Sequence, residues 1–195
     1  MTKIIGLTGG IGSGKTTVAA MFEKMGMPIF IADDEALRIS TYPEIVEQII
    51  ATFGEKILTT QQIDRKKLAS LVFNNSLNLQ KLNNIIHPAV KKSFELWCEK
   101  QKKHQYVLYE SAILFETNSD IFCYKTITVS APEKSRIERV MHRNGLTEKD
   151  IKARIDMQWS DWQRAEKADY VIENIELKIT EKRVKYIFES LQNLK

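Results

Sequence analysis

A chain of 195 residues with 43% hydrophobic and 28% charged side chains is long enough to bury one sizeable core and a subsidiary lobe, and its ordinary composition excludes a disordered, collagen-like or disulfide-stapled protein. The net charge of +4 suits phosphorylated small molecules and is far too weak to argue for nucleic acid. No apolar run reaches bilayer length and no secretory leader precedes the first apolar stretch, so a cytoplasmic protein that meets no membrane is expected, its Cys98 and Cys123 reduced and serving as small buried hydrophobes.

Lys3-Ile4-Ile5-Gly6-Leu7-Thr8 is a short apolar run that suits a buried strand. It leads directly into Gly9-Gly10-Ile11-Gly12-Ser13-Gly14-Lys15-Thr16, which fits the spacing G-x-x-x-x-G-K-[ST] of a phosphate-binding loop. Val18, Met21, Phe22 and Met25 then recur at helical spacing, and Gly26 offers a left-handed C-cap. Strand, glycine-rich turn and helix in this order let backbone N–H groups and the helix N-terminus face an anion. Lys15 reaches the β- and γ-phosphates, and the Thr16 hydroxyl is suited to Mg²⁺. A turn that bound nothing would not need Lys-Thr at the helix start.

Pro28-Ile29-Phe30-Ile31-Ala32 reads as a parallel strand beside the first, and it ends at Asp33-Asp34. Ligands of open α/β sheets bind at the carboxyl ends of strands. Asp33 therefore fits a base or a metal-binding role, and Asp34 fits an N-cap for the next helix. From Glu35 to Lys103 the pattern is helical with no strand signal. Pro43 opens a helix that Gly54 ends, a further apolar face stops before Pro88, and Val90, Phe94 and Trp97 belong to another helix. The block is too long for a simple crossover and predicts an inserted helical subdomain. His87, just before Pro88, reads on spacing alone as structural.

Tyr106-Val107-Leu108-Tyr109-Glu110 is the next strand, with an acid at its end that could hold Mg²⁺ through water. Ile113-Leu114-Phe115-Glu116 is an apolar loop, and Thr126-Ile127-Thr128-Val129 is a fourth strand. Pro132 opens a helix on which Arg136, Arg139 and Arg143 share one face. Such a face can be a solvated surface or, because arginine contacts phosphate bidentately, a phosphate-binding one. Thr147 starts a helix with Asp150 as a weak capping box, and Arg154, Ile155, Gln158 and Arg164 lie along it or just beyond. Asp169-Tyr170-Val171-Ile172 is the last strand, followed by Asn174 and an amphipathic helix with Leu177, Val184, Ile187, Phe188 and Leu191.

Taken together these motifs resemble the dephospho-coenzyme A kinases along nearly the whole chain. The run from Gly6 to Thr16 is similar to that family's N-terminus, and Ile63-Asp64-Arg65 with Leu68 and Val72-Phe73 resembles its "DR…L…VF" stretch. His87-Pro88, Leu114-Phe115-Glu116, Arg139 with Arg143, and Ala168-Asp169-Tyr170-Val171-Ile172-Glu173-Asn174 match further motifs. The departures are Ile31-Ala32-Asp33 for the usual Asp-Ala-Asp, Leu37 where the family has Arg (Arg38 is displaced by one), Glu110 for the usual Asp, and Ala112 or Ile113 for a proline.

The resemblance implies an α/β fold of the P-loop kinase kind, a parallel sheet flanked by helices with an inserted helical substrate subdomain and a helical lid. Within one domain spanning 1–195, the core would comprise 1–33, 104–135 and 165–195, the subdomain 34–103 and the lid 136–164. It implies transfer of the ATP γ-phosphoryl to the ribose 3′-hydroxyl of dephospho-coenzyme A, with Mg²⁺ on Thr16. Asp33, Lys15 and Arg143 would be catalytic. Gly10, Ile11, Gly12, Ser13, Gly14, Lys15, Thr16, Thr17, Arg139 and Asn174 would hold ATP, and Thr8, Asp33, Arg65, His87, Phe115, Glu116 and Arg164 the acceptor. A monomer or weak homo-oligomer is expected. A nucleoside monophosphate kinase would share the loop but not the other motifs, and a guanine-specific switch would carry an Asn-Lys-x-Asp segment that this chain lacks.

Overall fold

The computed structural model describes residues 2–73, 75–145 and 147–194. In chain order the elements are β1 (Lys3–Thr8), α1 (Lys15–Lys24), β2 (Ile29–Ile31), α2 (Ala32–Ile39), α3 (Pro43–Phe53), β3 (Leu58–Thr59), β4 (Gln62–Ile63), α4 (Arg65–Phe73), α5 (Ser76–Lys100), β5 (Tyr106–Glu110), β6 (Lys125–Ser130), α6 (Glu133–Asn144), α7 (Glu148–Asp156), α8 (Asp161–Lys167), β7 (Tyr170–Glu173) and α9 (Leu177–Asn193). They form two compact units, one of residues 1–31 and 100–195, the other of residues 32–99.

The first unit is built on a parallel sheet in the order β2-β5-β1-β6-β7. Its strands are apolar on both faces, as a sheet covered on both sides requires. Ile5, Leu7, Leu108, Ile127, Val129 and Ile172 are buried, and Val18 and Phe22 of α1 with Val184, Ile187 and Leu191 of α9 join the same core. The Tyr106 hydroxyl is anchored inside it by donating to the Leu191 carbonyl at 2.6 Å. All strands run the same way, so Thr8, Ile31, Glu110, Ser130 and Glu173 end at one edge, with Glu110 in register with both Leu7 and Ile31. Asp169 straps β6 to β7: its carboxylate accepts from the Thr126 N–H at 2.8 Å, the Thr126 hydroxyl at 3.0 Å and Lys125 Nζ at 2.7 Å. Part of the Ala168–Asn174 motif is thus architectural.

The second unit is mainly helical, and here the structure corrects several expectations. A short antiparallel hairpin, β3 with β4, interrupts the predicted helical run. Its strands are too short to show alternation, and its turn residues Thr60 and Gln61 take φ of 49° and 64° where a glycine or asparagine would have signalled the turn. Pro88 lies inside α5 instead of separating two helices. The buried positions Ile86, Val90 and Phe94 continue through it at a spacing of four, and burying that stripe outweighs the missing N–H. His87 is therefore in a helix interior, half-buried, and burial lowers its imidazole below the ordinary value. Asp34 is not an N-cap, because α2 begins at Ala32 directly after β2 and places Asp33, Asp34 and Glu35 all in its first turn.

In the first unit, α8 is a separate helix opened by a capping box between Ser160 and Gln163. The Thr147 cap is present, accepting from the Asp150 N–H at 3.2 Å. Cys98 and Cys123 are half-buried instead of enclosed. Burial pushes their thiols up to about 11 and about 12 respectively, so both stay protonated near neutrality.

Candidate active site

The loop 9–14 leaves the carboxyl end of β1 and enters α1 at Lys15. Two glycines are fixed there by space as well as by conformation. A Cβ on Gly12 (φ +77°) would lie 2.5 Å from the Arg136 carbonyl oxygen, and one on Gly14 (φ +94°) would lie 2.0 Å from Asn174 Nδ2. The loop is drawn against α6 and the segment after β7 closely enough that no side chain fits. Lys15 Nζ is 3.8 Å from Glu110 Oε1, and the Glu110 carboxylate is buried. Thr16 and Thr17 are exposed in the first turn of α1.

The arginine-bearing face of α6 meets this loop. Arg136 Nε donates to the Ile11 carbonyl at 2.8 Å. Arg139 donates to the Ser13 carbonyl at 3.3 Å and, through its other terminal nitrogen, to the Asn174 carbonyl at 2.8 Å. Asn174 Nδ2 donates to the Ser13 carbonyl at 2.8 Å, and its Oδ1 accepts from Thr180 at 3.1 Å. Gly14, Thr17, Arg139, Asn174, Ile175 and Leu177 line a cavity of about 230 Å³. Arg143 is exposed further along α6. The hydroxyls of Thr8 and Ser13 are buried with no hydrogen-bond partner among the described residues, a state that usually marks a bound water or ligand group.

Glu116 and Arg164, predicted at the acceptor, form a buried ion pair at 3.3 Å, and Arg164 also pairs with Asp161 at 3.3 Å. Burial lowers the Arg164 guanidinium, Glu116 and Asp161 raise it, and the like charge of Arg136 adds to the lowering. Phe115 is buried and stacks on Trp159 at 6.0 Å, with Lys167 Nζ 5.0 Å above its ring.

The second unit holds the remaining predicted residues. Asp33 is in the first turn of α2, and Arg65 is exposed at the start of α4. Asp64 explains the motif before it: its Oδ1 accepts from the Lys66 N–H at 2.9 Å and the Lys67 N–H at 3.1 Å, capping α4, while Oδ2 accepts from the Thr59 hydroxyl at 3.0 Å. Arg38 bonds Glu35 at 2.7 Å and lies over the Tyr42 ring at 5.0 Å. Glu35 is held below the usual carboxylate range, first by Arg38 and also by Ser93, against partial burial.

Sequence reasoning missed Asp161, gave Gln158 no role and left Arg136 as an unassigned member of a charged face. The Ser160-x-x-Gln163 box was readable in the sequence. It would have put Asp161 and Arg164 one helical turn apart. Nothing local marks Gln158.

The edge of a parallel sheet, a lysine-bearing glycine loop and an arginine-lined cavity together make a nucleotide-phosphate site. The dephospho-CoA kinase family model matches residues 3–178. A dephospho-CoA kinase from Geobacillus kaustophilus is 41% identical, with 89% of each chain covered. A solved structure from Thermus thermophilus superposes with a TM-score of 0.86 at 32% identity, covering 100% of this chain and 98% of that one. A Campylobacter jejuni dephospho-CoA kinase superposes with a TM-score of 0.68 at 25% identity over 98% of both. On a match of that extent, carried by a loop and sheet edge of this geometry, the chain belongs to the dephospho-CoA kinase family.

Proposed function

We propose that the chain transfers the γ-phosphoryl group of ATP to the ribose 3′-hydroxyl of dephospho-CoA, giving CoA and ADP, the last step of CoA biosynthesis. It is a kinase of the P-loop fold, and the reading is carried by one observation. Lys15 stands 3.8 Å from a buried acid at the carboxyl edge of the sheet, in a chain whose residues 3–178 match that family.

Phosphoryl transfer passes through a loose transition state with charge on its equatorial oxygens, so catalysis is positioning and cationic stabilisation. Gly10 and the loop residues Gly12 to Thr17, Lys15 among them, hold the triphosphate, and Arg139 and Asn174 border the nucleotide cavity. Arg143 supplies positive charge to the transferring group from a lid of residues 136–164 that is pinned at Arg136, Gln158 and Arg164. Asp33 orients the acceptor hydroxyl and takes its proton. Arg65 and His87, in a helical subdomain of residues 34–103, serve the acceptor, as does Thr8 of the core. Phe115, Glu116 and Arg164 shape that side from below the surface.

The donors fit Mg²⁺. Among the described residues there is no group of three or more His, Cys, Asp or Glu that could cage a metal. Mg²⁺ asks instead for one or two hard oxygens beside substrate phosphates and water. Thr16 and Glu110 would hold it, and bound there it would offset phosphate charge. No described helix is long and apolar enough to cross a membrane. The reading takes the chain as a cytoplasmic enzyme, a monomer or weak homo-oligomer, acting on small molecules.

A coupled assay of ADP release tests the reading, with dephospho-CoA compared against AMP, CMP and pantetheine derivatives. Turnover with dephospho-CoA well above the others is expected. Preference for AMP or CMP would move the chain to the nucleotide kinases.

A further inference from the structure

Ile11 lies within the phosphate loop, and both of its main-chain polar groups are held by side chains from far along the sequence. Its N–H donates to Gln158 Oε1 at 2.8 Å, and its carbonyl accepts from Arg136 Nε at 2.8 Å. An N–H so engaged is not offered to a phosphate oxygen, so Ile11 serves the loop's shape and not ATP contact.

Arg136 is itself immobilised. It is 5% exposed, and its Nη1 pairs with one oxygen of Asp161 at 3.2 Å while the other oxygen takes Arg164 at 3.3 Å. Arg164 continues to Glu116 at 3.3 Å, and the same Glu116 oxygen accepts the Trp159 N–H at 3.1 Å. The residue next to Gln158 is therefore tied to the chain of charges that holds Arg136. Both arms of the grip end on one scaffold, from the 113–116 loop through α8 to α6.

A loop with four glycines among residues 9–14 does not hold its own shape, because glycine is conformationally permissive. Transfer chemistry that depends on near-attack geometry loses rate steeply with small displacements. We infer that Gln158 and Arg136 are positioning residues for the phosphoryl transfer, clamping the Ile11 peptide so that the loop is preorganised before ATP arrives. This rests on the kinase reading above.

Gln158 is the better residue to test, since it is only half-buried and its loss spares the ion-pair chain. Gln158→Leu keeps the volume and removes the acceptor oxygen, while Gln158→Glu keeps an acceptor there. The measurements are kcat at saturating ATP and dephospho-CoA, the affinity for a non-hydrolysable ATP analogue by titration, and thermal melting. Gln158→Leu should lower kcat by about 10- to 100-fold and weaken analogue binding, with little change in melting. Gln158→Glu should recover most of kcat. Its added charge acts on nucleotide affinity and drops out at saturation.

A folded Gln158→Leu enzyme with wild-type kcat and analogue affinity would overturn the clamp. So would equal loss in both variants, or loss of the folded state in both, which would assign Gln158 to stability. If the wild type does not phosphorylate dephospho-CoA, the proposed function fails, and the analogue titration, which needs no acceptor, decides the clamp by itself.

Discussion

Gly14 offers a test in which strain and collision can be separated. It caps α1 at φ 94°, ψ 28°, and Gly145 caps α6 at φ 64°, ψ 18°. Alanine at either position takes a left-handed backbone that costs about 1–2 kcal/mol. At Gly145 nothing lies within 4 Å of the new Cβ, whereas at Gly14 the Asn174 amide nitrogen lies at 2.0 Å. Asn174 cannot yield without giving up its bonds to the Ser13 carbonyl at 2.8 Å and to Thr180 at 3.1 Å. Two hydrogen bonds are worth about 1–3 kcal/mol net. Gly145→Ala should therefore cost about 1–2 kcal/mol and Gly14→Ala about 2–5 kcal/mol. At about 2–4 °C per kcal/mol for a chain of this size, differential scanning calorimetry resolves the two. A double-mutant cycle locates the excess: in an Asn174→Ala background Gly14→Ala should retain only its backbone cost. An identical cost in both backgrounds would refute the collision. Gly14→Ala should also weaken ATP binding, because both residues line the cavity, whereas Gly145→Ala should not.

Lys15→Ala should lower kcat/KM by on the order of 10²-fold or more and also lower the melting temperature, since it removes the cation 3.8 Å from the buried Glu110; normal kinetics would make the loop irrelevant to catalysis. Asp33→Asn should reduce kcat by roughly 10²–10⁴-fold with ATP affinity, measured by titration, nearly unchanged. Asp34→Asn should stay active and lose only a fraction of a kcal/mol, roughly 0.3–1, as a first-turn acid does; a dead Asp34→Asn enzyme beside an active Asp33→Asn one would exchange their roles. Partial burial raises the Asp169 carboxyl, but Lys125 and the Thr126 amide and hydroxyl together hold it below the ordinary aspartate value. A lowered folded value stabilises above the unfolded one and is lost as pH falls through the folded one. Urea unfolding of wild type and Asp169→Asn should thus differ by a constant amount from neutrality down to about pH 5 and converge below about pH 4; a gap that widened in acid would reverse the sign.

The sheet was legible because each of its strands is an apolar run bounded by a turn residue or a charge, and Gly26, Pro43 and Gly54 marked helix ends through backbone rules that tertiary packing seldom overrides. The hairpin of Leu58–Thr59 with Gln62–Ile63 was not legible, because register in so short a ladder leaves no period to read. Pro88 misled for the opposite reason. The rule that proline ends a helix is local and takes no account of the stripe of Ile86, Val90 and Phe94 on either side of it. The phosphate loop announced its ligand but not its supports. Lys15 and Thr16 are fixed by the motif's chemistry, whereas Gln158 meets Ile11 from a position 147 residues away. A contact of that range leaves no trace in a local pattern.

The face of α6 shows how a readable pattern can divide in function. Arg136, Arg139 and Arg143 are equivalent by spacing, although the family resemblance singles out only Arg139 and Arg143. In the fold they are graded: Arg136 is buried, Arg139 half-buried and Arg143 exposed. The first grips the Ile11 carbonyl and the second the Ser13 and Asn174 carbonyls. A guanidinium bonded to main-chain carbonyls and enclosed by protein is poorly placed to follow a moving charge, but it fixes the backbone that faces the triphosphate. Arg143 is exposed in the last turn of the helix. One helix face thus combines a buried end that holds the loop backbone with an exposed end, where the proposed stabilisation of transition-state charge would act.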